Sequence, residues 1–308
     1  MLKVLMYFSF FFVLLGCIKE FNVTPPTLPQ KVVVNSLFCP DSILKINISL
    51  SESIENEIQF VENAHIKLYK NDVFLQNVNY DQNGWYNSLY HPIENAKYKI
   101  EVTVPGHDPV WAESSIPKKS SISKYTCEFL EGYELEWGMK NSETIIEFQD
   151  EQNIENYYEL AFFSDNNGIS KQSFSLNPPY YNVNDISIKS DSDLDFKPQQ
   201  YYFSDVLFSN EIKQIKLNYF GSGYYDDLIN EFITFPVYLS LLNVSPEYYN
   251  FRKSWTKHVY NQNTDIHIDD PIILLFKGDP IEMYTNVNGG YGIFAGYNQQ
   301  YKEVTYIP

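Results

Sequence analysis

The chain is nearly without arginine: Arg252 is the only one in 308 residues, and 22 basic residues face 39 acidic ones for a formal net charge of −17. Nucleic acid is excluded as a partner, because gripping phosphates takes clustered Lys and Arg. The same excess of acid repels anionic substrates and keeps a protein in solution, but it selects no ligand. Histidines are few and scattered. His65, His91, His107, His258 and His267 never fall at His-x-x-x-His or His-Glu-x-x-His spacing, so no metal and no other cofactor is assigned. The five-residue Gly-x-Ser-x-Gly frame is missing too: Gly221-Ser222-Gly223, between Phe220 and Tyr224, reads as a turn. No catalytic residue is assigned, and the chain is read as not an enzyme. Asp191, Asp193 and Asp195 alternate like the start of a calcium loop. Phe196 stands where glycine is needed and Tyr202 where the bidentate glutamate belongs, so a solvated acidic loop is expected.

An apolar run long enough to span a bilayer is also lacking. Val4 to Leu15, broken only by Ser9 and preceded by Lys3, falls short of the ~20 residues a spanning helix needs. Residues 1–16 therefore read as an export signal. Leu14-Leu15-Gly16-Cys17 resembles a lipobox, which implies that Cys17 is the lipid attachment site. Its thiol would take a diacylglyceryl group and its freed amino group a further acyl chain such as palmitate. Each buried methylene contributes ~0.8 kcal/mol, so a multiply acylated Cys17 is a stable anchor. Losing residues 1–16 removes only Lys3, leaving 21 basic against 39 acidic residues, or −18. Ile18-Lys19-Glu20 resembles the short signals that send Bacteroidota lipoproteins to the cell surface, so the expected location is the outer membrane, facing outward. Residues 17–30, rich in Pro and Thr, suit an extended lipidated tether. Cys39 and Cys127 are then left either to pair in an oxidising compartment or to stand apart as buried thiols.

From Lys31 onward the dominant signal is period-two alternation, clearest where Leu44, Ile46, Ile48 and Leu50 interleave with Lys45, Asn47 and Ser49. It returns at Tyr98, Ile100, Val102 and Val104. Further strand candidates are Val32 to Phe38, Ala64 to Tyr69, Val73 to Tyr80, Trp85 to Tyr90 and Val110 to Ser114, separated by turn chemistry at Lys70-Asn71-Asp72 and Asp81-Gln82-Asn83-Gly84. Residues 31–117 are thus expected to form an immunoglobulin-like or transthyretin-like β-sandwich. Lys118 to Ser123 reads as a joint, and residues 118–308 as a larger β-rich sandwich or barrel-like domain. Its strand candidates are Thr144 to Gln149, Tyr157 to Phe163, Ile212 to Phe220, Phe232 to Val244, Ile272 to Phe276 and Ile293 to Tyr297.

One helix is expected, near 246–260. Ser245 is a good N-cap, Pro246 a good first residue, and Tyr248, Phe251, Trp255 and Val259 recur at helical spacing. Asn166 to Pro198 reads as a long loop. The fold class is all-β, mainly strand with one helix.

Ser204-Asp205-Val206-Leu207-Phe208, the helix opening Ser245-Pro246-Glu247-Tyr248-Tyr249, and Pro280 to Tyr297 with its Asn288-Gly289-Gly290 and Gly292-Ile293-Phe294-Ala295-Gly296 together resemble a family: the Bacteroidota lipoproteins of domain-of-unknown-function family 4249. Tyr291 departs from an aliphatic tendency there. The resemblance implies an exported lipoprotein often found beside TonB-dependent outer-membrane receptors, and carries no catalytic residue over. The glycines themselves read as fold elements. Asn288-Gly289-Gly290 suits the positive φ of a hairpin, and Gly292 and Gly296 suit close backbone approach.

Tyrosine is abundant, at 26 residues, with doublets at Tyr180-Tyr181 and Tyr224-Tyr225 that are the expected partner- or ligand-binding residues. The expected function is a lipid-anchored, non-enzymatic accessory of a TonB-dependent outer-membrane transporter or assembly complex, bound to the membrane through its lipid and to an outer-membrane β-barrel protein. The alternative is a stand-alone surface module binding glycan or peptide.

Overall fold

The computed structural model describes residues 29–53, 56–134, 140–164, 181–192, 198, 200–220, 223–226, 228–234, 237–262 and 278–303. Its first third holds β1 (Val32–Phe38), β2 (Lys45–Leu50), β3 (Gln59–Phe60), β4 (His65–Lys70), β5 (Val73–Tyr80), β6 (Trp85–Asn87), β7 (Lys97–Thr103) and β8 (Val110–Ser115). Next come β9 (Ile122–Glu134), β10 (Lys140–Gln149), β11 (Tyr157–Ser164), β12 (Tyr181–Val183), helix α1 (Ile186–Ser192), β13 (Gln200–Ser204) and β14 (Ile212–Phe220). A hairpin of β15 (Gly223–Asp226) and β16 (Glu231–Thr234) precedes β17 (Val237–Val244), helix α2 (Pro246–Gln262) and β18 (Tyr291–Glu303). The protein is mainly β, as expected.

Alternation decides the first third. In β1 Val32, Val34, Ser36 and Phe38 are buried while Asn35 and Leu37 face out, and β7 repeats the pattern with Tyr98, Ile100 and Val102. Strand residues of this kind stand on opposite faces in turn, so one face closes over a core. A 12-stranded sheet runs β13-β11-β17-β18-β1-β2-β6-β5-β4-β7-β8, with β3 beside β2. It therefore passes through both halves of the chain, and the last strand lies between them. β18 pairs antiparallel with β17, and parallel with β1 from Val33↔Tyr291 to Phe38↔Gly296.

The near end of the sheet curls until β8 meets β18. Asn286 bridges the two strands: its side-chain amide donates to the carbonyls of Glu113 at 3.0 Å and Phe294 at 2.8 Å, and accepts the Phe294 N–H at 3.0 Å. Asn288 pairs with Trp111 in an isolated bridge, so Asn288-Gly289-Gly290 links β8 to β18 instead of turning a hairpin. The backbone there has the positive φ expected of it, at Gly289.

Each half has its own apolar core. The first joins Val34, Phe38, Ile46, Ile48, Leu68, Tyr98 and Ile100 with Phe294 of β18. In the second, the four-stranded sheet β12-β14-β10-β9 packs on the far end of the long sheet, where Ile146, Phe148, Ile215 and Leu217 meet Tyr158, Leu160, Phe203, Leu239 and Leu241. Helix α2 covers the opposite face through Tyr248 and Tyr249 against Ile293, Ala295, Leu242 and Val244. β17 is consequently buried on both sides.

Several expectations change here. Within Asn166 to Pro198, the described residues include β12 and α1 and not a continuous loop. Asp185 caps α1, its Oδ1 accepting the Ser187 N–H at 2.9 Å. The joint at Lys118 to Ser123 already contains the start of β9. β13 stands where no strand is expected, and Ile272 to Phe276 lies outside the described residues. Helix α2 packs through Tyr248 and Tyr249, whereas Trp255 is exposed.

The closeness of β18 to its neighbours can be tested. Gly292 has φ +101°, and a Cβ there would overlap the Val34 carbonyl; one at Gly296 would overlap the Ser115 carbonyl. Gly292→Ala should cost about 3 kcal/mol, combining backbone strain with overpacking. Urea denaturation would show it, and an unchanged midpoint would refute the β1–β18 register.

Candidate functional site

The residues singled out in the sequence do not converge. Cys17 and Tyr180 lie outside the described residues, as do Gly221, Ser222, Asp193, Asp195 and His267. Tyr181 opens β12 opposite Tyr219, and Tyr224 and Tyr225 pair with Ile233 and Phe232 in the β15–β16 hairpin. Tyr181 thus sits beside the end of β14, and Tyr224 and Tyr225 in a separate two-stranded sheet. Cys39, buried just after β1, and Cys127, half-buried in β9, are not joined by a disulfide. Among the described residues no three His, Cys, Asp or Glu gather as metal ligands, and no helix is long and apolar enough to cross a membrane.

What the fold does gather are two polar clusters, neither legible as such in the sequence. The first lies beneath α2. The Glu159 carboxylate, on β11, accepts the Tyr248 hydroxyl at 2.6 Å. Arg252 donates from Nε to the Tyr202 hydroxyl at 2.9 Å, that hydroxyl donates to Gln200 Oε1 at 2.6 Å, and the guanidinium lies 4.9 Å from the Trp255 ring. Burial pushes the Glu159 carboxyl above its ordinary 4.5, with the Arg252 charge and the Tyr248 bond pulling it back. Burial likewise raises the Tyr202 and Tyr248 hydroxyls. Strongly shifted groups mark functional sites when they line a cleft. Glu159, Tyr202 and Tyr248 are sealed between helix and sheet, so this cluster bolts α2 in place.

Asp191 adds a second bolt and corrects the solvated-loop expectation. Its carboxylate accepts the Tyr249 hydroxyl at 2.9 Å and the Ser204 N–H, and Lys253 stands 3.7 Å away.

The second cluster fills the opposite corner of the sandwich, where β10 and β13 end and β11 and β14 begin. Asp150 is fully buried. It accepts from the Tyr158 hydroxyl at 2.6 Å, the Asn156 amide at 3.1 Å and the Asn210 N–H at 2.9 Å. The same Asn156 amide lies 3.1 Å from the Asp205 carboxylate, and the Asp205 N–H donates to the Asn156 carbonyl at 3.0 Å. Burial raises the Asp205 carboxyl above its ordinary 3.8; the Asn156 bonds oppose this and the Asp150 charge adds to it. A shallow polar cleft of about 450 Å³ opens beside this corner, lined by Lys118, Lys119, Ser121, Gln149, Glu151 and Gln152. No apolar side chain lines it, unlike typical small-molecule sites.

This frame explains Ser204-Asp205-Val206-Leu207-Phe208 residue by residue. Ser204 is held by Asp191, Asp205 by Asn156, and Phe208 packs on Phe148, Tyr158 and Phe203. Val206 and Leu207 serve nothing inside. They are 68% and 64% exposed, and Ile154 (51%), Ile186 (85%) and Ile212 (66%) stand out at the same end. Two contacts bring these loops together, the Asn153 N–H to Asn210 at 2.9 Å and the half-buried Lys213–Asp185 ion pair at 2.7 Å. Singly exposed aliphatics are ordinary; here five stand at one end of a rigid frame. The one sign of it in the sequence is an aliphatic pair set between Asp205 and the turn residues Ser209-Asn210.

A family model described as Domain of unknown function (DUF4249) matches residues 18–303. No curated protein matches the chain. Among solved structures, trypsin-activated alpha-2-macroglobulin from Escherichia coli is 10% identical over 73% of this chain and 15% of its own length; at a TM-score of 0.24 that likeness carries no argument.

The cluster under α2 predicts a pH dependence. Because Glu159 has a raised value in the fold, the folded protein holds a proton that the unfolded chain has lost, so stability is fully present below about 4.5 and declines as pH rises through the folded value. Glu159→Gln keeps an acceptor for Tyr248 and should flatten this decline. Denaturation midpoints across pH 4 to 8 measure it, and identical slopes for variant and wild type would refute the assignment.

Proposed function

The chain belongs to the DUF4249 family, and from that premise we propose that it is a lipid-anchored, non-enzymatic accessory of an outer-membrane transporter or assembly complex, held through Cys17 on the outer membrane and facing the cell surface. The observation that carries this reading is the aliphatic cap. Its side chains present bulk and no reactive group, and the polar residues beneath it are spent on rigidity, an arrangement suited to binding and not to bond making. The lipobox-like Leu14-Leu15-Gly16-Cys17 supports the anchor, and the family's resemblance to lipoproteins beside TonB-dependent receptors supports the kind of partner.

A folded body whose halves share one sheet fits the part. Pro29 and Gln30, the end of the expected tether, lead through Lys31 into β1, the strand next to β18, so a pull on the lipid would act on the middle of the long sheet.

Two measurements on the full chain test the proposal. Cys17→Ser should move the protein from the membrane to the soluble fraction, and wild-type protein solubilised in detergent and captured through a C-terminal tag should bring down an outer-membrane β-barrel protein. A membrane-bound Cys17→Ser variant, or capture of no barrel protein across several growth conditions, would sink it.

A further inference from the structure

We infer that the cap formed by Ile154, Ile186, Val206, Leu207 and Ile212 docks into a partner protein through an apolar groove edged with lysine or arginine; this rests on the accessory reading above and specifies its contact. The first argument is composition. The three loops of the cap, residues 151–156, 184–186 and 205–211, contain Glu151, Glu155, Asp185, Asp205 and Glu211 and no Lys, Arg, Trp or Tyr. Glu155 and Glu211 are exposed at its rim. Two neighbouring cations are engaged, Lys213 by Asp185 and by the Ser187 hydroxyl at 2.7 Å and Lys118 at 3.5 Å from Glu151, while Lys189 stands one turn along α1 from Ile186.

That charge pattern discriminates among occupants. Side chains that settle into a bilayer surface are accompanied by Trp or Tyr at the headgroup level and by Lys or Arg for anionic lipid. The loops supply neither, and a chain of net charge −17 is repelled by an anionic surface. A second copy is disfavoured for a related reason. A twofold contact sets the same patch against itself, so Glu155 and Glu211 of both copies would be crowded together. A groove with a basic edge satisfies the aliphatic centre and the acidic rim at once, which is the usual anatomy of a specific interface.

The test uses the tagged full-length protein in detergent-solubilised membranes. Val206→Asp combined with Leu207→Asp should lower the recovered barrel protein about tenfold or more, with an unchanged thermal midpoint because both side chains are exposed. Glu155→Lys combined with Glu211→Lys should lower recovery severalfold in low salt, and the difference from wild type should shrink as salt is added. Undiminished recovery with the Val206 and Leu207 changes overturns this inference and leaves the accessory reading standing. Failure of wild-type protein to recover any barrel protein removes both. Binding of the Cys17→Ser chain to phosphatidylglycerol vesicles, or its dimerisation in sedimentation, overturns the inference as well if the Val206 and Leu207 changes abolish it.

Discussion

The structure depends on the burial of β18 between β1 and β17. Its residues Ile293 to Gly296 are sealed, with Phe294 turned to the first core, 4.6 Å from Phe38, and Ile293 and Ala295 turned to α2. Remove it and the first half loses a wall, the helix loses its seat and the long sheet falls into two pieces. Parallel pairing of Val33 with Tyr291 also closes a loop of nearly the whole chain. Such pairing is entropically costly and late, so the first core and the cluster under α2 are not complete until the last strand is present.

Polar side chains fix the angle between the halves. On the β17–β18 face opposite α2, Asn243 holds Ser120 through bonds of 2.8 and 2.9 Å, Asn298 donates to Glu94 at 3.0 Å and to the Pro117 carbonyl at 3.3 Å, and Gln300 accepts the Ile122 N–H at 3.2 Å. The joint from Pro117 to Ile122 is therefore stapled to the shared sheet by three successive amides. On β8, Ser114 donates to Glu247 at 2.7 Å and accepts the Gly296 N–H at 3.2 Å, which ties the first turn of α2 to both lobes. Breaking one partner in such a buried set leaves the other unsatisfied, a cost of ~1–3 kcal/mol, so these bonds specify geometry more than they add stability.

The first half was legible because it obeys one rule. Leu44, Ile46, Ile48 and Leu50 alternate with polar residues, and each turn has its own chemistry, as at Asn83, where φ is positive. The rule fails where both faces are covered. β13 reads Gln-Tyr-Tyr-Phe-Ser, buried almost throughout, and shows no alternation to detect; β17 was found only because its apolar run is long. The partner of β18 was invisible for a different reason. Nothing local in Tyr291 to Glu303 says that it pairs with Val32 to Phe38, since the parallel connection here is not a short strand-helix-strand unit but almost the entire chain. Helix α2 begins at its capping residue, Ser245, whose hydroxyl lies 3.2 Å from the Tyr248 nitrogen; Tyr248 and Phe251 of its expected face do pack, and Tyr249 and Arg252, polar at their tips, take the place of Trp255.

The candidate surface was the least legible element, and the reason is physical. A motif such as Ser204 to Phe208 mixes residues that answer to the fold with residues that answer to something else, and spacing alone does not separate them. Three of the five are accounted for by Asp191, Asn156 and the Phe148–Tyr158–Phe203 stack. Val206 and Leu207 are not. Polar residues in their place would cost the fold almost nothing, because the turn is held by Asp205, Asn210 and Phe208. On a surface otherwise rich in acid, two aliphatic side chains lifted on a rigid corner are a liability for solubility. Nothing inside the fold accounts for them, and the docking proposed above would, with the acidic residues around them limiting the kind of partner.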